Sequence, residues 1–409
     1  MTEAKRPRVL LIKPILPYPP NQGTRVASFN LIKALQPHFD VTVLARITSR
    51  DQTAHARELE RWCSRVVTVM APNKKSLFHR AAYKLFYQLK TVLFRTSLKT
   101  LYDCPGAFLR AAERLSNEPF DLVIVEYWQL QEMMKFFPAD KCVLLTHDID
   151  MLVNRQISLL ERNLVKKIRA VRRWLLEQKE EVRAYRDSRR VWTLTERDKA
   201  AVRRICGDGC EVDVLPVGVD IDFFSPSGMK RNRGEVLFLG HLAASFNRDA
   251  LDFFIRKIHP RIDDHRELSI TIVGGFLPKE LEFFAFQRDV EVVGTVEDVR
   301  PYLHRASCLV IPLRFGGGLR IRILEAMSAG LPVVCSPVAI AGMPFEPGTE
   351  YLVAETPDEF GREIRRILSD EELSGTIATA ARAKVRKEYA SEVQERRIVS
   401  LVNHITRPR

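Results

Sequence analysis

The run from Arg314 to Ala326, Arg-Phe-Gly-Gly-Gly-Leu-Arg-Ile-Arg-Ile-Leu-Glu-Ala, contains the residue types needed to hold a phosphate. Gly316, Gly317 and Gly318 let a backbone approach a ligand closely. A helix starting near Leu319 would turn free N–H groups and the positive end of its dipole toward an anion. Arg320 and Arg322 add full positive charge. Glu325, three residues after Arg322, falls on the same helix face, where its carboxylate can accept hydrogen bonds from two sugar hydroxyls. Together these residues suggest a nucleoside diphosphate with its ribose alongside. A simple turn followed by an exposed Arg322–Glu325 ion pair would use the same residues.

The elements that would position this loop are strands alternating with helices. Val9–Ile12, Val41–Leu44, Leu122–Val125, Val143–Leu145 and Val191–Leu194 are short apolar runs separated by helix-length segments. Val236–Leu239, Ser269–Val273, Val290–Val293 and Cys308–Ile311 repeat the scheme, and Gly330 stops a helix before a buried strand at Val333–Cys335. Such alternation implies parallel sheets covered on both faces, with ligands outside the carboxyl ends of the strands, where Gly23, Gly274, Gly294 and Gly316 fall. The stretch from Ser225 to Gly234, rich in Pro, Ser, Gly and charge, reads as a linker or long turn. Neither half carries a Gly-x-Gly-x-x-Gly after its first strand, and no P-loop is present, which disfavours a dehydrogenase or an ATPase.

A chain of 409 residues exceeds the size at which one core keeps growing, so two domains are expected. The net charge of +13 is uneven: residues 1–205 hold 38 Lys and Arg against 21 Asp and Glu, and residues 206–409 hold 26 against 30. A basic first half favours an anionic partner, whether nucleic acid, an acidic membrane surface or a phosphorylated substrate. The seven scattered cysteines fit buried thiols in a reducing compartment, and the Cys206–Cys210 pair lacks the companions a metal site needs. No signal peptide or spanning run is apparent.

The chain resembles the retaining glycosyltransferases of family 4, the group 1 glycosyl transferases, with the GT-B fold. The resemblance rests on Pro17–Gly23, Thr146–Asp150, Thr195–Asp198, Leu215–Asp220, Leu239–Leu242, Val293–Val299 and Arg314–Ala326, in that order and spacing. It implies two facing Rossmann-like, doubly wound domains: 1–205 on the acceptor side, 206–385 binding a nucleotide sugar of the UDP or GDP type, and a helix at 386–409 crossing back to the first. The lobes would close on a hinge near residues 205 and 385. No metal or further cofactor is expected.

Carried over residue by residue, Glu325 matches the second acid of the family's paired-glutamate motif and would bind the donor ribose. Gly317 stands in place of the first acid, so the usual side-chain contact to the donor sugar hydroxyls is missing, and backbone N–H groups of the glycine loop could replace part of it. His241 after Gly240, then Phe246 and Asn247, stand where many members have Arg and Lys for the diphosphate. Arg320, Arg322 and the helix N-terminus are the candidates to replace that charge. Gly23, Gly240, His241, Gly274, Gly294, Val296, Gly316, Gly317, Gly318 and Leu319 complete the donor-side candidates, Gly23 being equally readable as a turn before a helix. His147 matches a histidine beside the transferring sugar and, with Glu325, is the catalytic candidate. Glu126, His147 and Asp148 are the acceptor-side candidates, although Glu126 could equally cap the following helix.

Two basic amphipathic helices are expected, one within 73–101 and one from Leu152 to Trp174 whose Val153, Ile157, Leu160, Leu164, Ile168, Val171 and Leu175 form a stripe. Either could pack on the core or lie on an anionic membrane. The reading that follows is a cytoplasmic or peripheral membrane enzyme with a lipid-linked or anionic acceptor, in surface polysaccharide or glycolipid synthesis. The rivals are a nucleotide-sugar epimerase of the same fold and a nucleic-acid- or membrane-binding protein with little catalysis. Nucleic acid lacks a supporting motif.

Overall fold

The computed structural model describes residues 6–71, 96–161, 163–262, 268–275, 282 and 289–406. The expected amphipathic helix within 73–101 lies mostly outside them.

The chain divides into two units, Met1–Pro216 with Glu395–Arg409, and Val217–Gln394. The first holds a seven-stranded sheet in the order β3-β2-β1-β4-β5-β6-β7. Its strands are β1 (Arg8–Lys13), β2 (Asp40–Ile47), β3 (Arg65–Met70), β4 (Leu122–Glu126), β5 (Cys142–Leu145), β6 (Arg190–Thr193) and β7 (Glu211–Val214). All pairs are parallel. The apolar runs of β1, β4 and β5 are buried on both faces, because helices cover both sides of a parallel sheet.

The second unit holds a six-stranded parallel sheet in the order β10-β9-β8-β11-β12-β13. Its strands are β8 (Glu235–Leu239), β9 (Ser269–Val273), β10 (Val290–Gly294), β11 (Cys308–Ile311), β12 (Val333–Cys335) and β13 (Leu352–Val353). In each sheet the order reverses once, between β1 and β4 in the first and between β8 and β11 in the second. Crevices at such reversals are where open α/β sheets bind ligands.

Several sequence expectations are refined. The strand β7 belongs to the first unit: it pairs with β6, Trp192 beside Asp213, so the first unit runs on to Pro216 rather than ending at 205. Of the two readings of 225–234, linker or long turn, the turn holds, anchored by Arg231 donating to the carbonyls of Leu303, Ala306 and Gly330 at 2.8 Å each. The helix expected over Leu152–Trp174 is two helices, Asp150–Leu160 and Leu164–Arg186, the second capped by Asn163 accepting from the Lys166 N–H at 3.1 Å. Near the end, Ser391–Thr406 is helical, and from Glu395 on the chain clusters with the first unit rather than from 386. Gly218 lies against this helix start; a Cβ there would stand 2.9 Å from Ser391 Cα.

Candidate functional site

In the second unit the glycines expected on the donor side follow adjacent strands. Gly240 follows β8, Gly274 follows β9, Gly294 ends β10, and Gly316 lies in the loop after β11. Their packing explains why side chains are missing. A Cβ on Gly274, whose φ is 155°, would stand 1.9 Å from the Gly240 carbonyl oxygen, and the Gly274 N–H donates to Gly294 O at 2.7 Å. Gly316 adopts φ 138° and Gly318 φ 69°, conformations that favour glycine. A Cβ on Gly316 would stand 2.2 Å from Arg320 Nη2, so the guanidinium lies directly across this backbone. Gly317 and Leu319 are half-buried in the same loop, and Val296 is half-buried in the loop after β10.

The helix after the glycines is Ile321–Ser328, two residues later than the expected start near Leu319, with Arg320 at the N-cap. The Arg320 side chain makes no capping hydrogen bond to its first turn. Arg322 and Glu325 project from one face of it. Arg322 Nη2 donates to Asn247 Oδ1 at 3.0 Å, while its Nε is buried without a hydrogen-bond partner among the described residues. Gly240 gives it room, since a Cβ there would stand 2.7 Å from Arg322 Nη1. Burial, reinforced by Arg320 and partly offset by Glu325, lowers the Arg322 pKa to about 9. Burial raises the Glu325 pKa to about 7 against the pull of Arg322.

Phe246 and Asn247 stand where the family resemblance leads one to expect cations, and each holds an arginine from the start of the helix Ile321–Ser328. The Arg320 guanidinium lies 4.6 Å from the centre of the Phe246 ring, and Asn247 takes Arg322. Asn247 Nδ2 also donates to the His241 carbonyl at 2.9 Å, fixing the loop after β8. Arg314 is engaged elsewhere: its Nε donates to Asp249 Oδ2 at 2.9 Å and its guanidinium lies 5.1 Å from the centre of the Phe253 ring.

In the first unit, β1 and β4 pair Ile12 with Val125, so the next residues, Lys13 and Glu126, emerge side by side at the sheet reversal. Both are 0% exposed. Lys13 Nζ donates to Glu126 Oε2 and to Ser28 Oγ at 2.5 Å each, and to the Thr24 carbonyl at 3.1 Å. Ser28 Oγ lies 2.8 Å from the same carboxylate oxygen, and so does His147 Nε2. Burial alone would raise the Glu126 pKa, but the Lys13 ammonium and His147 outweigh it and hold it down to about 2. Burial lowers the Lys13 pKa, with Glu126 opposing. An ionised Glu126 only accepts, so His147 donates to it from Nε2. His147 Nδ1 and Glu126 Oε1 are both buried without a hydrogen-bond partner among the described residues.

Glu126 therefore does not cap the following helix, and being fully buried it reaches a substrate only through its neighbours. Tyr127, the next residue, has φ 75° and stacks on His147 with ring centres 4.8 Å apart. A bulky residue held in the left-handed region is the kind of strain that collects at functional sites. Gly23 begins the helix Gly23–Leu35, which supplies Thr24 and Ser28 to Lys13; a Cβ on Gly23 meets nothing within 4 Å. Asp148 is half-buried beyond β5, and its carbonyl accepts from Thr146 Oγ1 at 2.6 Å. Lys13, Ser28 and Tyr127 were not among the sequence candidates. Their signal was a lysine and a glutamate each closing an apolar strand run.

Among the described residues no group of three or more His, Cys, Asp or Glu is arranged to hold a metal ion.

This fold has close counterparts. Residues 233–370 match the family model of the glycosyl transferases group 1, so the second unit, with its glycine loop, Arg322 and Glu325, carries the matched segment. Two parallel α/β units of this kind are the GT-B architecture seen in solved glycosyltransferases. Sucrose-phosphate synthase from Thermosynechococcus elongatus matches with a TM-score of 0.73 at 16% identity, over 98% of this chain and 99% of that chain. HepE from Anabaena, in complex with UDP and glucose, matches at 0.68 and 14% identity, over 98% and 100%. WaaG, a glycosyltransferase involved in lipopolysaccharide biosynthesis, matches at 0.64 and 16% identity, over 98% and 100%. At these identities the likeness is one of fold. No curated protein sequence matches the chain significantly.

Proposed function

We propose that the protein transfers a sugar from a UDP- or GDP-type nucleotide sugar to a lipid-linked or polysaccharide acceptor, with retention and without a metal ion. The observation that carries this reading is the arrangement at the reversal of the second sheet. Four strand-end glycines, the N-terminus of Ile321–Ser328, Arg320 and Arg322 form an electropositive cradle, and Glu325 lies on the adjoining helix face. It falls inside the segment matched by the group 1 model. Complexes of HepE with UDP, and the place of WaaG in lipopolysaccharide synthesis, support the donor type and the acceptor class.

The chemistry follows from charge. Breaking the bond between the sugar carbon and the diphosphate oxygen leaves negative charge on the nucleoside diphosphate, and preorganised donors and cations stabilise it most. Backbone N–H groups of the Gly316–Gly318 loop, the helix N-terminus, Arg320 and Arg322 serve this role. Glu325 holds the ribose hydroxyls. The acceptor hydroxyl attacks the sugar carbon on the face the diphosphate leaves, and its proton passes to the departing phosphate oxygen. His147, oriented by Glu126, offers Nδ1 to a hydroxyl of the acceptor. The reaction takes place in the cytoplasm or on the cytoplasmic face of a membrane.

Incubation with UDP- and GDP-sugars, followed by proton NMR of the sugar released by slow donor hydrolysis, tests the reaction. Retention predicts that the first product carries the donor's anomeric configuration. Release of the opposite anomer excludes retention, and absence of turnover with every donor and acceptor excludes transfer.

A further inference from the structure

The two helices Asp150–Leu160 and Leu164–Arg186 form an antiparallel hairpin. Glu181 Oε1 accepts from the Asp150 N–H at 2.9 Å, and Glu177 Oε2 accepts from Asn154 Nδ2 at 2.6 Å, so the contacts run in opposite directions along the two helices. These bonds fasten the base of the hairpin, where Glu177 and Glu181 are buried. Toward the connection, every residue of the second helix from Leu164 to Arg169 is exposed.

The exposed tip is apolar where solvent would favour polar residues. Leu159 is 66% exposed, Leu164 71%, Val165 58% and Ile168 61%, with Leu160 and Leu175 also exposed. At 3.6 residues per turn, Leu164, Ile168 and Leu175 fall within about 40° of one another, with Lys167 and Arg172 flanking them roughly 60° and 80° from Leu164. Lys166 and Arg169 lie further round. No acidic residue occurs between positions 162 and 176, and Arg173 is spoken for by Glu177 at 2.8 Å. An apolar ridge flanked by lysine and arginine is the pattern of a helix lying in a membrane interface, with apolar side chains among the acyl chains and cations at anionic headgroups. A protein groove would fit the ridge but would leave the uniform positive flank without a reason.

We propose that this hairpin tip docks the protein on an anionic lipid surface. The proposal deepens the reading of a lipid-linked acceptor and rests on it for its purpose, since a docked first unit would meet acceptors that do not leave the membrane. Among the described residues no helix is long and apolar enough to cross a membrane, so attachment by this tip would be peripheral.

Flotation of the full chain with vesicles of equimolar phosphatidylglycerol and phosphatidylcholine tests it, against vesicles of phosphatidylcholine alone. The expected result is binding to the anionic vesicles that weakens as salt is raised. It should fall roughly tenfold in Leu164→Asn with Ile168→Asn and again in Lys166→Glu with Lys167→Glu. Because these positions are exposed, the urea midpoint of both variants should match the parent; should the apolar pair fail to fold, the charge pair decides. Equal binding by parent and charge variant, no preference for anionic lipid, or a concentration-dependent dimer abolished by the apolar pair without vesicle binding would overturn the proposal. Nucleotide binding is measured on the same variants and should be unchanged. Its absence in the parent would count against the transferase reading and leave lipid docking standing.

Discussion

His147 Nε2 and Glu126 Oε2 stand 2.8 Å apart in the first unit, and that single carboxylate oxygen also receives Lys13 and Ser28. Three donors converge on one atom, while the other carboxylate oxygen and the far nitrogen of the imidazole have no hydrogen-bond partner among the described residues. The arrangement holds the ring with Nε2 toward Glu126 and leaves Nδ1 for a further partner.

Removing one side of this buried pair leaves a charge with nothing to balance it. Glu126→Gln should destabilise the protein by about 3–5 kcal/mol in urea unfolding, and Lys13→Met added to it should restore much of the loss. Since the Glu126 pKa is depressed from 4.5 to about 2 in the folded state, its contribution is complete above pH 4.5 and is lost as the pH falls toward 2. A loss under 1 kcal/mol in the single variant would mean that the ion pair contributes little.

Glu325 has the opposite pH dependence. Its folded-state pKa is raised from 4.5 to about 7, so the folded chain binds more protons than the unfolded chain between those values, and stability declines as pH rises through that window. Glu325→Gln should remove the decline. It should gain about 1–3 kcal/mol over the parent at pH 8 and nothing at pH 4, while losing affinity for nucleotide. Parallel stability curves for the two proteins from pH 4 to 8 would refute this.

Gly240 and Gly23 separate packing from ligand contact. Gly240→Ala places a methyl group 2.7 Å from Arg322 Nη1 and should displace that guanidinium, lowering nucleotide affinity by about tenfold. Gly23→Ala meets no protein atom within 4 Å and gains helix propensity, so its unfolding midpoint should hold or rise. If the first loop approaches donor phosphate, the same variant should nevertheless lose transfer activity. Calorimetric melting of both variants, with and without nucleotide, distinguishes the cases.

Much of the fold was legible because buried parallel strands read as unbroken apolar runs, as in Val9–Ile12 and Cys308–Ile311. The edge strand Arg65–Met70 was not read, since its side chains are mostly only half-buried and lie beside charged neighbours. The hairpin was read as one helix because the spacing of three and four continues from Leu160 to Leu164; Asn163, a capping residue, marked the break. In the candidate donor site, residue types alone indicated Arg322 and Glu325. The roles of Phe246 and Asn247 in holding arginines became visible only once the loops after β8 and β11 were neighbours. Lys13 was missed for the same reason: its partner is 113 residues away, and only the pairing of β1 with β4 brings the two together.

The most direct test of the central claim is titration of the purified protein with UDP and GDP by calorimetry, beside Arg322→Ala. The account predicts that one diphosphate binds, adds about 2.7 kcal/mol of stability at one hundred times its dissociation constant, and loses about 1.5–3 kcal/mol of binding free energy in the variant. Binding of neither diphosphate, or equal binding by parent and variant, would contradict it.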